Sequence, residues 1–232
     1  MKKLLSLAVA AFALAAMADY AGQTIGVTKI TTTNQNTIVA VPFTSLTNSL
    51  VNISANDLVS PVGLPQDTVL QVFKNNQYYG WQLDNNGVWV AVGDQAASQA
   101  DVIANSTIAC GGAIWVVLPS APAASQDIYI YGDFTSVPTE SSIVAGANLI
   151  ANPLQSDATF ALSGTPVQGD QIIIPSDRNP ESYSFSRKGK WTGDGVAVTI
   201  GSIRIKVGQG FWYVRKNEST VSTVTWTAAS GD

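Results

Sequence analysis

The chain has no histidine at all, and among its 232 residues there is a single cysteine. Asp, Glu, Lys and Arg together make up only 12%. Without histidine, Ser-His-Asp and Cys-His arrangements and the usual histidine zinc sites cannot be built, which removes the commonest hydrolase chemistries. One cysteine, Cys110, permits no internal disulfide, and its setting in Thr107-Ile108-Ala109-Cys110-Gly111 suits a small buried hydrophobe. Past the N-terminus no apolar run is long enough to cross a bilayer. The scarcity of charge goes with many Thr, Ser, Asn, Gln and Gly, a neutral-polar composition typical of exported β proteins rather than of cytosolic enzymes.

The N-terminus has the order of a secretory signal peptide: Met1-Lys2-Lys3, an apolar run from Leu4 to Leu14, then Ala16-Met17-Ala18. Cleavage is expected after Ala18, which would leave Asp19 first. The mature chain would then carry ten basic residues against sixteen acidic ones, a net charge of −6. That balance argues against nucleic acid as a partner. The expected location is secreted, whether periplasmic, cell-surface or extracellular, with no segment spanning the membrane once mature.

Beyond that segment the chain reads as all-β. Short runs rich in Val, Ile, Thr and aromatics alternate with Gly, Pro, Asn and Asp, with no convincing 3.6-residue period. Strands are expected at 25–32, 37–41, 68–73, 79–83, 88–92, 108–110, 114–118 and 127–131, then at 148–151, 171–174, 183–186, 196–200, 203–207, 211–215 and 221–227. Asp84-Asn85-Asn86-Gly87 and Arg187-Lys188-Gly189 supply turn residues between aromatic strands, so each reads as a β-hairpin. The first of these lacks the alternating acidic ligands and closing glutamate of a calcium loop.

The pattern also begins again midway. Thr37-Ile38-Val39-Ala40-Val41-Pro42 aligns with Asn148-Leu149-Ile150-Ala151-Asn152-Pro153. Trp81-x-Leu83 to Gly87-x-Trp89 aligns with Tyr183-x-Phe185 to Gly189-x-Trp191, and Gly111-Gly112-Ala113-Ile114-Trp115 with Gly208-Gln209-Gly210-Phe211-Trp212. The expected architecture is two repeated antiparallel β-sandwich-like units after a cleaved signal peptide. Its divisions are 1–18, an N-terminal β segment at 19–36, a first unit at 37–136 and a second at 137–232, joined through 135–146.

On these motifs the chain resembles a family of exported β proteins of verrucomicrobial and related bacteria. It is also similar to a β module of large Bacteroidetes surface proteins that carries an Asn-Leu-x-x-Asn-Pro start and a Gly-Gln-Gly-Phe-Trp strand. The first unit departs from this pattern at Val41 and at Gly112-Ala113. The family has no established activity, so the resemblance implies a fold and an exported location only.

Residues that could carry chemistry are few. Glu140, Glu181 and Glu218 lie in polar loops, and Asp84, Asp177 and Asp194 lie in turns, so no paired-carboxylate site stands out. No enzyme activity, cofactor or metal site is expected. The favoured function is a non-catalytic structural protein of the cell surface or extracellular matrix, with copies of itself as partner, assembling by exchange of terminal strands into filaments or a layer. The strands concerned carry Ile25, Val27 and Ile30 at one end and Val221, Val224 and Trp226 at the other. The alternative is a carbohydrate-binding or adhesive module, because sugar faces stack on exposed rings. Tyr78, Tyr79, Tyr129, Tyr131 and Trp226 are the ring candidates, whereas Trp81, Trp89, Trp115, Trp191 and Trp212 are expected to form one core layer used twice.

Overall fold

The computed structural model describes residues 25–43, 52–54, 58–74, 76–92, 98–133, 140–176 and 179–229. The segment 1–18 expected as a signal peptide, residues 19–24, Asp177, and 134–139 of the expected joint lie outside that set. The first half of the chain forms β1 (Ile25–Thr32), β2 (Asn36–Ala40), β3 (Asn52–Ser54), β4 (Val69–Lys74), β5 (Gln77–Leu83), β6 (Trp89–Val92), helix α1 (Gln99–Asn105), β7 (Thr107–Ala109), β8 (Ala113–Val117) and β9 (Gln126–Asp133). The second half forms β10 (Glu140–Ser142), β11 (Gly146–Ala151), β12 (Ala158–Leu162), β13 (Gln171–Ile174), β14 (Glu181–Phe185), β15 (Trp191–Gly193), β16 (Val196–Val198), β17 (Gly210–Arg215) and β18 (Thr223–Ala228). All described strand pairs are antiparallel.

Two large sheets dominate, and they share an order. One runs β2-β8-β4-β5-β6, the other β11-β17-β13-β14-β15-β16. Their registers match the sequence alignment: Leu83 pairs with Trp89 in the first, and Phe185 with Trp191 in the second. Gly87 and Gly189 hold the two hairpin turns at φ of 75° and 70°, where a side chain would be strained. The Asp84 carboxylate accepts the backbone N–H of Asn86 and Val88, so it builds the turn.

Each large sheet buries one face. In the first half, alternate residues Leu70, Val72, Trp81, Leu83, Ile114 and Val116 enter a core closed from the other side by Ile128 and Ile130 of β9. In the second half, Ile172, Ile174, Phe211 and Tyr213 meet Phe160, Val224 and Trp226 from the small sheet β10-β18-β12. Both halves are therefore sandwich-like.

The structure corrects several expectations. Residues 99–105 form a helix, because Ser98 and Asp101 make a capping box that satisfies its first N–H groups. No strand forms at 203–207. Instead Ile205 makes a single bridge to Ala158 and the chain turns through Ile200–Ser202 as a 3-10 helix. Strands β3, β10, β12 and β15 were not expected as such. The N-terminal β segment is part of the first sandwich, since β1 pairs with β9 over eight residues from Ile25–Asp133 to Thr32–Gln126. Among the described residues no helix is long and apolar enough to cross a membrane.

Candidate functional site

The most distinctive place in the molecule is the seam where the two large sheets meet. Ala40 donates its N–H to Gly208 O at 3.0 Å, and Ala151 donates to Gly111 O at 2.9 Å. Val39 bridges Gln209, and Ile150 bridges Gly112. In the repeat alignment Ala40 corresponds to Ala151 and Gly208 to Gly111, so each half gives the other the contact it receives. These reciprocal bonds are the geometry of an isologous, two-fold contact, here formed inside one chain.

Small residues make the contact close. Ala40, Ala113 and Ala151 are buried with Leu149 in a third apolar cluster, packed by Ile38, Phe73 and Trp212. A Cβ placed on Gly210 would lie 2.5 Å from Ile38 Cγ2 and 3.0 Å from Ala113 Cβ. The glycine of the Gly-Gln-Gly-Phe-Trp signature thus serves sheet-to-sheet approach. The remaining signature residues also have structural tasks: Gln209 Oε1 accepts the Lys206 N–H at 3.0 Å, and Gly208 holds a φ of 75°.

The Asn-Leu-x-x-Asn-Pro motif is accounted for the same way. Asn152 is fully buried, and its amide donates to Ser156 O and Ile205 O while its oxygen accepts the Leu154 N–H. Asn148 accepts from Val144 N and donates to Val144 O and Tyr213 O. Both amides satisfy backbone groups where a buried chain leaves regular pairing.

Aromatic rings line the outer side of the seam. Phe73 meets Trp212 edge-on at 4.8 Å and Tyr78 at 4.9 Å, while Trp115 lies 6.2 Å from Tyr78 and 6.4 Å from Trp212. Trp115 and Trp212 therefore do not belong to a repeated core layer. Their neighbours Ile114, Val116, Phe211 and Tyr213 take the core face, and strand alternation turns the two tryptophans outward. Trp81, Trp89 and Trp191 do lie in the cores.

The ring candidates separate accordingly. Tyr78 is 39% exposed and belongs to the seam cluster. Tyr79 faces the first core beside Trp81, and Trp226 is buried in the second, its indole N–H donating to Ser141 Oγ at 3.0 Å. Neither is available to stack a sugar. Tyr129 and Tyr131 are half-buried on β9. Of the strand residues assigned to exchange, Val221, Val224 and Trp226 are buried, Ile30 packs against the first core, and Val27 is exposed. The side chain of Ile25 lies outside the described residues.

The carboxylates hold the fold together. Asp170, fully buried, accepts from Tyr213 Oη at 3.0 Å and from Lys216 N at 2.8 Å. Asp157 accepts Val207 N, Asp127 pairs with Lys29 and Thr31, and Glu181 accepts from Tyr183 Oη. Among the described residues no group of three or more Cys, Asp or Glu is placed to hold a metal ion.

Three groups keep their protons unusually firmly. Burial pushes the Cys110 thiol up to about 12. Tyr183 is also raised to about 12, by burial and then by the Glu181 carboxylate, and Tyr213 higher still by burial and Asp170. A folded-state value above the unfolded one stabilises fully below the unfolded value and is lost as pH rises towards the folded one. Base titration followed by tryptophan fluorescence is therefore expected to show stability declining from about pH 9 upward, the ordinary thiol value being 9.0. At pH 8 Cys110 should resist iodoacetamide until the chain is denatured; rapid alkylation in the native state would contradict its burial.

These features define a class: an all-β protein of two sandwich-like halves joined through a reciprocal seam. Comparison of the chain with protein-family models, with curated proteins and with solved structures finds no match.

Proposed function

We propose that the protein is a non-catalytic structural component of the bacterial cell surface or extracellular matrix, exported by the segment 1–18, built from two copies of one β unit, and self-associating. The observation that carries this reading is the seam, together with what lies farthest from it. Reciprocal backbone bonds fuse the sheets into one block, and the sheet orders end, away from the seam, on β6 and β16 with exposed Val90, Val92 and Val196. A block whose described sheets end on a strand at either side suits a building unit.

Exchange of terminal strands is not the favoured route. β18 lies between β10 and β12, and β1 is fully paired with β9. Releasing β18 would expose Val224 and Trp226, at about 1.5–3 kcal/mol for each large apolar side chain. Negative-stain microscopy of the mature chain at rising concentration is expected to show regular polymers; dispersed single particles at every concentration would sink the proposal.

A second reading, carbohydrate binding, is favoured by one observation. Exposed Tyr78 adjoins Trp115, whose indole N–H is buried without a hydrogen-bond partner. Under this reading a glycan panel quenches tryptophan fluorescence, and Tyr78→Ala abolishes the response.

A further inference from the structure

We infer that copies of this chain join edge to edge, with strand β16 of one copy pairing antiparallel to strand β6 of the next. The inference rests on the structural role proposed above and assigns the edges that carry it.

The two halves differ at these edges. Strand β15 corresponds to β6 by its Trp191–Phe185 and Trp89–Leu83 pairs, and β15 is covered by β16. The sheet of the first half ends at β6, which has no strand on its far side among the described residues. Among the described residues, the second half thus has a strand in a position where the first has none. Beside β6 lies a cleft of about 460 Å³, lined by Gln66, Asp67, Gln82, Asp84, Val90 and Val92.

Neither edge strand carries a charge or a proline, although both are short and helix α1 packs against β5 and β6. Exposed sheet edges commonly carry a lysine, a proline or a bulge that discourages pairing with another chain. Strand β6 reads Trp89-Val90-Ala91-Val92 and β16 reads Val196-Ala197-Val198, without a charge or a proline. Val90 and Val92 are 42% and 38% exposed, and Val196 is 66% exposed.

Charge sets the register and selects the partner. In an antiparallel pair the Trp89 end of β6 faces the Val198 end of β16. The Trp89 end adjoins the acidic turn at Asp84, with Asp67 held to Gln82 at 2.8 Å. Val198 pairs with Trp191, next to the turn that carries exposed Arg187, Lys188 and Lys190. The acidic turn of one copy therefore lies at the same end of the joined sheet as the basic turn of the next, with β16 between them. The same asymmetry runs through the chain: residues 25–136 hold two basic and seven acidic residues, whereas 137–232 hold eight of each. Two different edges make a heterologous contact, which propagates into a ring or a filament.

The test uses the full mature chain in sedimentation experiments at low ionic strength. Lys188→Glu with Lys190→Glu is expected to raise the concentration of half-assembly about tenfold, the equivalent of 1.4 kcal/mol. Adding Gln66→Lys and Asn85→Lys, which cancel the charges of Asp67 and Asp84 at the other turn, should recover part of the loss. Val196→Lys should block assembly with an unchanged thermal midpoint, because that side chain lies outside both cores. A wild-type polymer that none of these variants shifts would overturn the edge pairing and leave the structural role standing. A wild-type chain that never polymerises would overturn both.

Discussion

Gly210→Ala is expected to destabilise the protein by about 2 kcal/mol, although alanine at an ordinary strand position is normally no worse than glycine. The reason is steric and local. The new methyl would sit 2.5 Å from Ile38 Cγ2 and 3.3 Å from Ile150 O, across the seam, where a well-packed interior cannot yield. A chain of this size should lose about 4–8 °C of thermal midpoint. Two controls isolate the cause. Gly80→Ala, whose Cβ would meet nothing nearer than 3.9 Å, should be close to neutral. Ile38→Ala in the Gly210→Ala background should recover part of the loss, because the clash is shared between the two residues. If Gly210→Ala were as harmless as Gly80→Ala, the two sheets could not approach as closely at the seam as Ala40, Ala113 and Ala151 allow.

Asp170→Ala should cost more, about 3 kcal/mol. The carboxylate is fully buried, and its removal leaves the Tyr213 hydroxyl and the Lys216 N–H without an acceptor in the second half. Tyr213→Phe, which removes one donor and leaves Lys216 N bound, should cost about 1 kcal/mol. Denaturant titration of the three proteins checks the order. Asp170→Ala at or below the cost of Tyr213→Phe would mean that the carboxylate does not organise that turn.

The outline of the fold was legible because strands and turns are local. β1 is read to the residue from Ile25 to Thr32, where six of eight residues are β-branched. The two hairpins follow from glycines that must take positive φ. The helix at 99–105 escaped because it is two turns long and buries only Val102, so no 3.6-residue stripe exists to see. Ser98 and Asp101, spaced as a capping box, were its visible signal.

The seam was hidden for a different reason. In Ala113-Ile114-Trp115-Val116-Val117 both faces of the strand are apolar, so alternation does not say which face enters the core. An aligned tryptophan pair looks like a duplicated core and is in fact a contact between the halves. The alignment of Ala113 with Gly210, small in both units, was the available clue. Alternation was informative at Tyr79 and Trp226. Tyr79 shares a face with Trp81 and Leu83, and Trp226 shares one with Val224 between threonines, which places both rings inside.

Sedimentation velocity of the mature chain across a wide concentration range tests self-association most directly. Edge-to-edge joining predicts a weight-average sedimentation coefficient that climbs with concentration and falls back when salt screens the facing turns. A single monomeric boundary, unchanged from the most dilute to the most concentrated sample, would contradict it.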